Sequence, residues 1–171
     1  MRISYPKLIF AIVLSLYFIW IAYDPIQGSF LDNVDLPIHE FGHLLFRPFG
    51  EFLMVAGGSL FQLMMPLVFV GYFLWQKQYY SSSIVGFWFG QSLINVYVYA
   101  ADAVVMQLVL TSGFTGSEGS FHDWNYLLTS TGLLASTKTV AGIIRLAGTL
   151  TIIGAGVFGV FYSLNDSGSD E

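Results

Sequence analysis

The chain is predicted to be an all-α, multi-pass transmembrane bundle of about four spanning helices plus one short re-entrant or interfacial helix. Three observations lead there. Of 171 residues, 55% are hydrophobic and only 10% charged, where soluble domains carry roughly one quarter charged residues. Four apolar runs are long enough, or nearly so, to cross about 30 Å of hydrocarbon at ~1.5 Å per residue. A fifth run, 36–49, is too short to cross and should dip in or lie at the surface.

The first span runs from about Leu8 to Tyr23 and follows Arg2 and Lys7. No small-residue cleavage site follows it, and Trp20, Tyr23 and Asp24 form an interfacial end, so it is read as a retained anchor. In the short run Leu36–Phe49, Asp35 is expected to cap the N-terminus, Pro37 to sit in the first turn, and Pro48 with Gly50 to end the helix. The next span, Phe52–Trp75, contains Gly57-Gly58-Ser59 and Pro66. Those breaks suit close helix packing or the approach of a substrate backbone.

The following run, Ile84–Leu110, carries Gln91, Asn95 and Asp102. An acid inside an apolar helix is a functional candidate, the bland alternative being a hydrogen bond to a neighbouring helix. A Gly- and Ser-rich loop, Thr111–Phe121, leads to a short helix opening at His122-Asp123, and a last span covers about Val140–Tyr162. Residues 1–164 are read as one domain and 165–171 as a disordered polar tail. Arg2, Lys7 and Lys77 place the N-terminus in the cytoplasm. Six Lys plus Arg and a net charge of -5 argue against nucleic-acid binding.

The short helix carries the chemistry. His39-Glu40-Phe41-Gly42-His43 is an H-E-x-x-H string in a chain with three histidines. On a helix, i and i+4 share a face, so His39 and His43 can present two imidazoles to one Zn²⁺. Glu40 then sits beside the metal, where it could take a proton from a metal-held water attacking a carbonyl. There is no cysteine, so disulfides and thiolate ligands are excluded, and any metal must use His and carboxylate.

These residues resemble the site-2 protease group of intramembrane zinc metalloproteases. The motif matches, including the glycine before its second His. Gly57-Gly58-Ser59-Leu60-Phe61-Gln62-Leu63 is similar to that family's small-Gly-Pro-x-x-Asn segment, with Ser59 at the usual Pro and Gln62 at the usual Asn. Asn95 through Asp102 resembles the segment that supplies the third ligand, one residue short, without its prolines, and with Ala103 for Gly. The likeness covers about His39 to Asp102 and implies Asp102 as third ligand.

From the residues alone His122 is the rival and is preferred, because imidazole is a better zinc donor than a lone carboxylate. Asp123 could orient His122 or cap the helix that follows. Asn95 is placed in the outer shell of the same site.

The resulting expectation is a zinc metallopeptidase in a lipid bilayer. His39, His43 and His122 or Asp102 hold Zn²⁺, Glu40 is the base, and the substrate is an unwound membrane-associated peptide segment. The alternatives are a non-catalytic metal-binding sensor or helper, and a zinc hydrolase of lipids or other amides.

Overall fold

A computed structural model describes residues 3–165. Its helices are α1 (Tyr5–Tyr23), α2 (Asp32–Phe46), α3 (Glu51–Trp75), α4 (Tyr79–Ala101), α5 (Asp123–Ser130) and α6 (Thr137–Leu164). Among the described residues the extended pairing is a single bridge, Val109 with Thr115. Four helical stretches are long and apolar enough to cross a membrane: α1, α3, α4, and α6 with the turn before it. The outer faces of α1, α3 and α6 carry Ile9, Val13, Leu67, Val68, Leu146 and Leu150, each 49% exposed or more.

Helix α4 is central, packed on α1, α3 and α6. Small residues let it approach α6 closely, since a Cβ on Gly148 would lie 3.0 Å from the Gly90 carbonyl oxygen. Phe18, Phe87, Ile94 and Ile152 fill the remaining space. One end of the bundle gathers the start of α1, the α3–α4 turn and the end of α6. There Ser4 N–H donates to Ser163 O, Tyr80 Oη donates to Lys7 O, and Tyr79 stacks on Tyr162. Towards the other end, Arg145 of α6 donates to the carbonyls of Ala22 and Tyr23 that close α1.

After α1 the chain doubles back into the bundle, and Phe30 meets Tyr17 with ring centroids 6.2 Å apart. Helix α2 therefore starts deep, four residues earlier than the apolar run predicts. The Asp32 carboxylate accepts the Ser29 N–H at 2.6 Å and closes the entering turn. Two expectations change as a result. Pro37 lies inside the helix, and the carbonyl of Asn33 that loses its i+4 donor belongs to an exposed residue, which limits the cost. Asp35 is not the cap. It is buried against the middle of α4, accepting from Trp88 Nε1 at 2.7 Å and Ser92 Oγ at 3.1 Å, and burial outweighs those bonds to raise its carboxyl to about 6.

From there α2 returns antiparallel to α3. The two backbones touch at Gly42 and Gly57, where a Cβ on either would clash with the other's carbonyl oxygen. This contact sets the height at which the H-E-x-x-H residues meet α3.

The apolar run predicted to continue to Leu110 stops as a helix at Ala101. Asp102 is its C-cap, and its carboxylate accepts the N–H groups of Gln107 at 3.0 Å and Leu108 at 2.9 Å. It turns the chain instead of lying within a span. Helices α1, α3 and α6 extend the predicted spans by one to three residues at their ends. Of the predicted tail, Asn165 terminates α6 with Nδ2 donating to Phe161 O, and 166–171 lie outside the described residues, as does Arg2.

Candidate metal centre

Three side chains converge where α2, α3 and α5 meet. His39 Nε2 lies 3.0 Å from Asp123 Oδ2, and His43 Nε2 lies 3.1 Å from the same oxygen. Both histidines come from one face of α2, as i and i+4 require. Their rings lie over Gly58 of α3, where a Cβ would meet both Nε2 atoms at 2.5 and 2.6 Å. His39 and Asp123 are buried, and His43 is half-buried.

The outer nitrogens of the two rings are held in one sense. His43 Nδ1 faces the Met54 carbonyl at 2.9 Å, an acceptor only, so Nδ1 carries the proton. His39 Nδ1 faces Gln62 Oε1 at 3.0 Å and donates likewise. In the neutral rings, then, both Nε2 atoms present lone pairs to a carboxylate oxygen, itself an acceptor. Three acceptors meeting without a hydrogen between them can be satisfied by a cation or by protons. Without a cation protons serve: the Asp123 bond raises His43 to about 8 against opposing burial. Burial pushes the Asp123 carboxyl up, but its bonds to His39 and His43 outweigh that and hold it below its ordinary value.

The same geometry fits a metal. Donors at tetrahedral positions on bonds of about 2.0–2.1 Å lie about 3.3 Å apart, close to the separations here. Two imidazoles and a carboxylate are a donor set for zinc and similar divalent ions, and each imidazole has the outer hydrogen bond that metal-binding histidines normally carry. His39, His43 and Asp123 could hold one ion between them.

His122 and Asp102 are not brought to this point. His122 Nδ1 accepts the Asn125 N–H at 3.2 Å as the N-cap of α5, so its proton sits on Nε2, which faces Asp102 Oδ2 at 3.3 Å. Both ring nitrogens are thereby engaged. Because α5 starts immediately after His122, the next side chain, Asp123, points to the histidine pair. Its backbone N–H donates to Tyr99 Oη at 3.0 Å, Asn125 Nδ2 donates to Ala103 O, and Trp124 Nε1 donates to Ser59 Oγ on α3. Asp123, read from sequence as orienting His122, instead joins His39 and His43 in the group that could hold an ion, and His122 supports the helix that carries it.

Asn95 lies one residue further from the cluster than Gln62, whose Nε2 donates to Asn95 Oδ1 at 2.9 Å. The cluster opens into a cavity of about 590 Å³, lined on one side by Glu40, Asn33 and Leu36 and on the other by Leu108–Thr111 and Phe121. Glu40 is exposed there and has no hydrogen-bond partner among the described residues. Sequence reading missed Tyr99 and Asp32, which also line the cavity. No known protein family, curated protein or solved structure matches the chain.

Proposed function

We propose that the protein is an integral membrane zinc metallopeptidase that cleaves membrane-associated peptide segments. The observation that carries the reading is the convergence of His39 Nε2, His43 Nε2 and Asp123 Oδ2 beside an uncommitted Glu40, at the floor of a cavity large enough for a few residues of chain. When bound, zinc would polarise a peptide carbonyl and make water acidic enough to attack at neutral pH. Glu40 takes the proton of the attacking water and returns it to the leaving amine. The apolar outer faces of α1, α3 and α6 suit hydrocarbon, and an intact helix hides its peptide bonds, so the substrate must be extended locally at the cavity.

A free carboxylate beside the cluster argues against a passive metal store, which gains nothing from a non-ligating base. The deciding measurement is metal content after zinc-replete purification in detergent. Wild type should carry about one zinc per chain, and His39→Ala, His43→Ala and Asp123→Ala should each lose most of it, because two donors make an incomplete shell. His122→Ala and Asp102→Ala should retain it more fully than Asp123→Ala. Absence of zinc from the wild type overturns the proposal.

The membrane part has its own check. Cysteines placed at Ser117 and at Gln76 in this cysteine-free chain should react with an impermeant thiol reagent from opposite faces of a sealed vesicle. Reaction of both from one face would show that α4 does not cross.

A further inference from the structure

Behind His39 runs a polar chain that ends on a carboxylate. His39 Nδ1 faces Gln62 Oε1 at 3.0 Å, Gln62 Nε2 faces Asn95 Oδ1 at 2.9 Å, and Asn95 Nδ2 faces Asp32 Oδ1 at 3.1 Å. Gln91 Nε2 donates to the same Asp32 oxygen at 2.6 Å, and the Ser29 N–H takes the other. Buried amides inserted between three helices cost free energy unless each polar atom is matched, and here the Asp32 end orders the relay, with Asp35 on the same helix also acting on Gln62.

An ionised carboxylate only accepts, so Asn95 must turn Nδ2 towards Asp32. Asn95 then offers Oδ1 to Gln62, which must donate through Nε2 and is left presenting Oε1 to His39. Against that oxygen His39 has to carry its proton on Nδ1, which leaves the Nε2 lone pair facing Asp123 and His43. The buried Oε1 of Gln91, which has no partner, is the cost of the same demand, since Asp32 holds the Gln91 amide by its nitrogen end.

We propose that Asp32 is a positioning residue that sets the tautomer of His39 through two relayed amides, Asn95 and Gln62. The carboxylate acts on the imidazole as a directly bonded second-shell acid does in metal sites, but from three hydrogen bonds away. The bland role is the start of α2, where Asp32 binds Ser29. An asparagine at 32 cannot fill both roles, because one of its two polar atoms is a donor: oxygen towards Ser29 puts NH₂ against Asn95 and Gln91, and oxygen towards the relay puts NH₂ against the Ser29 N–H.

Two variants separate the roles. Asp32→Asn should weaken Zn²⁺ binding, titrated against a chromophoric chelator, by about 10- to 100-fold. Adding Gln62→Glu should restore most of it, because a carboxylate placed directly at His39 Nδ1 fixes the proton without help from Asp32. Restoration cannot come from repair of the Ser29–Asp32 turn that opens α2, in which Gln62 takes no part.

A second readout does not depend on metal or on the peptidase reading. With Asp123→Ala, so that no carboxylate competes at Nε2, and at alkaline pH where the rings are neutral, ¹⁵N NMR of His39 should show the Nδ1–H form. Asp32→Asn in that background should shift it towards a mixture. An unchanged tautomer, or a loss of Zn²⁺ affinity that Gln62→Glu does not relieve, would overturn the assignment. If no variant binds zinc but the tautomer responds, the relay stands and the proposed function fails.

Discussion

Glu40→Gln is expected to keep zinc at the wild-type level and to slow peptide cleavage by roughly 10²–10⁴-fold. Glutamine preserves the shape of the side chain and removes its ability to take a proton. Metal retention is expected because Glu40 is exposed in the cavity and no member of the His39, His43 and Asp123 cluster depends on it. Both halves are needed. Zinc lost with Glu40 would make it a ligand, and cleavage retained without it would remove the general-base step. A detergent-solubilised assay with a quenched apolar peptide, scored beside zinc content, reads both.

The parts of this molecule that could be read from sequence are those set by local pattern. Helices α1, α3 and α6 follow from run length and composition, and their ends fall within a few residues of the apolar boundaries. The histidine pair follows from helical spacing alone. The parts misread depend on where a polar group finds its partner. Asp102 looked like an acid buried in a span because Ala103, Val104 and Val105 continue the apolar run, but its carboxylate accepts two N–H groups of the next turn and ends α4 there. Asp35 looked like the cap of a helix yet to start, and Asp32 was not singled out. Their partners, Gln91, Asn95, Trp88 and Ser92, lie more than 50 positions away.

The exchange of His122 for Asp123 has the same origin. Donor chemistry favours imidazole, and the loop before α5 lines the same cavity as His39 and His43. Which of two adjacent side chains points inward is decided by the residue that caps α5, and His122 Nδ1 does so by accepting the Asn125 N–H. A histidine cap is uncommon, Ser, Thr, Asp and Asn being preferred, so the sequence suggested Asp123 as cap. A usable signal was the polar pair itself: if one of two adjacent side chains closes a helix, its neighbour is turned to another direction.

Gly58→Ala is expected to abolish zinc binding while leaving the fold intact. In an ordinary helix the change would stabilise by up to about 1 kcal/mol, since alanine is the better helix former. Here the added methyl would lie 2.5 Å from His39 Nε2 and 2.6 Å from His43 Nε2, so both rings must swing away from Asp123. The cost falls on the metal centre more than on the bundle, because the clash is with two side-chain tips. Gly57→Ala makes the contrast, its Cβ meeting the Gly42 carbonyl and Phe46 Cβ, so it should separate α2 from α3 and lower the melting temperature. Gly71→Ala, with nothing within 4 Å, should change neither zinc content nor melting temperature adversely. Zinc content and thermal unfolding measured on the three variants together test the site. Full zinc in Gly58→Ala would mean that the two imidazoles do not rest on α3 as this geometry requires.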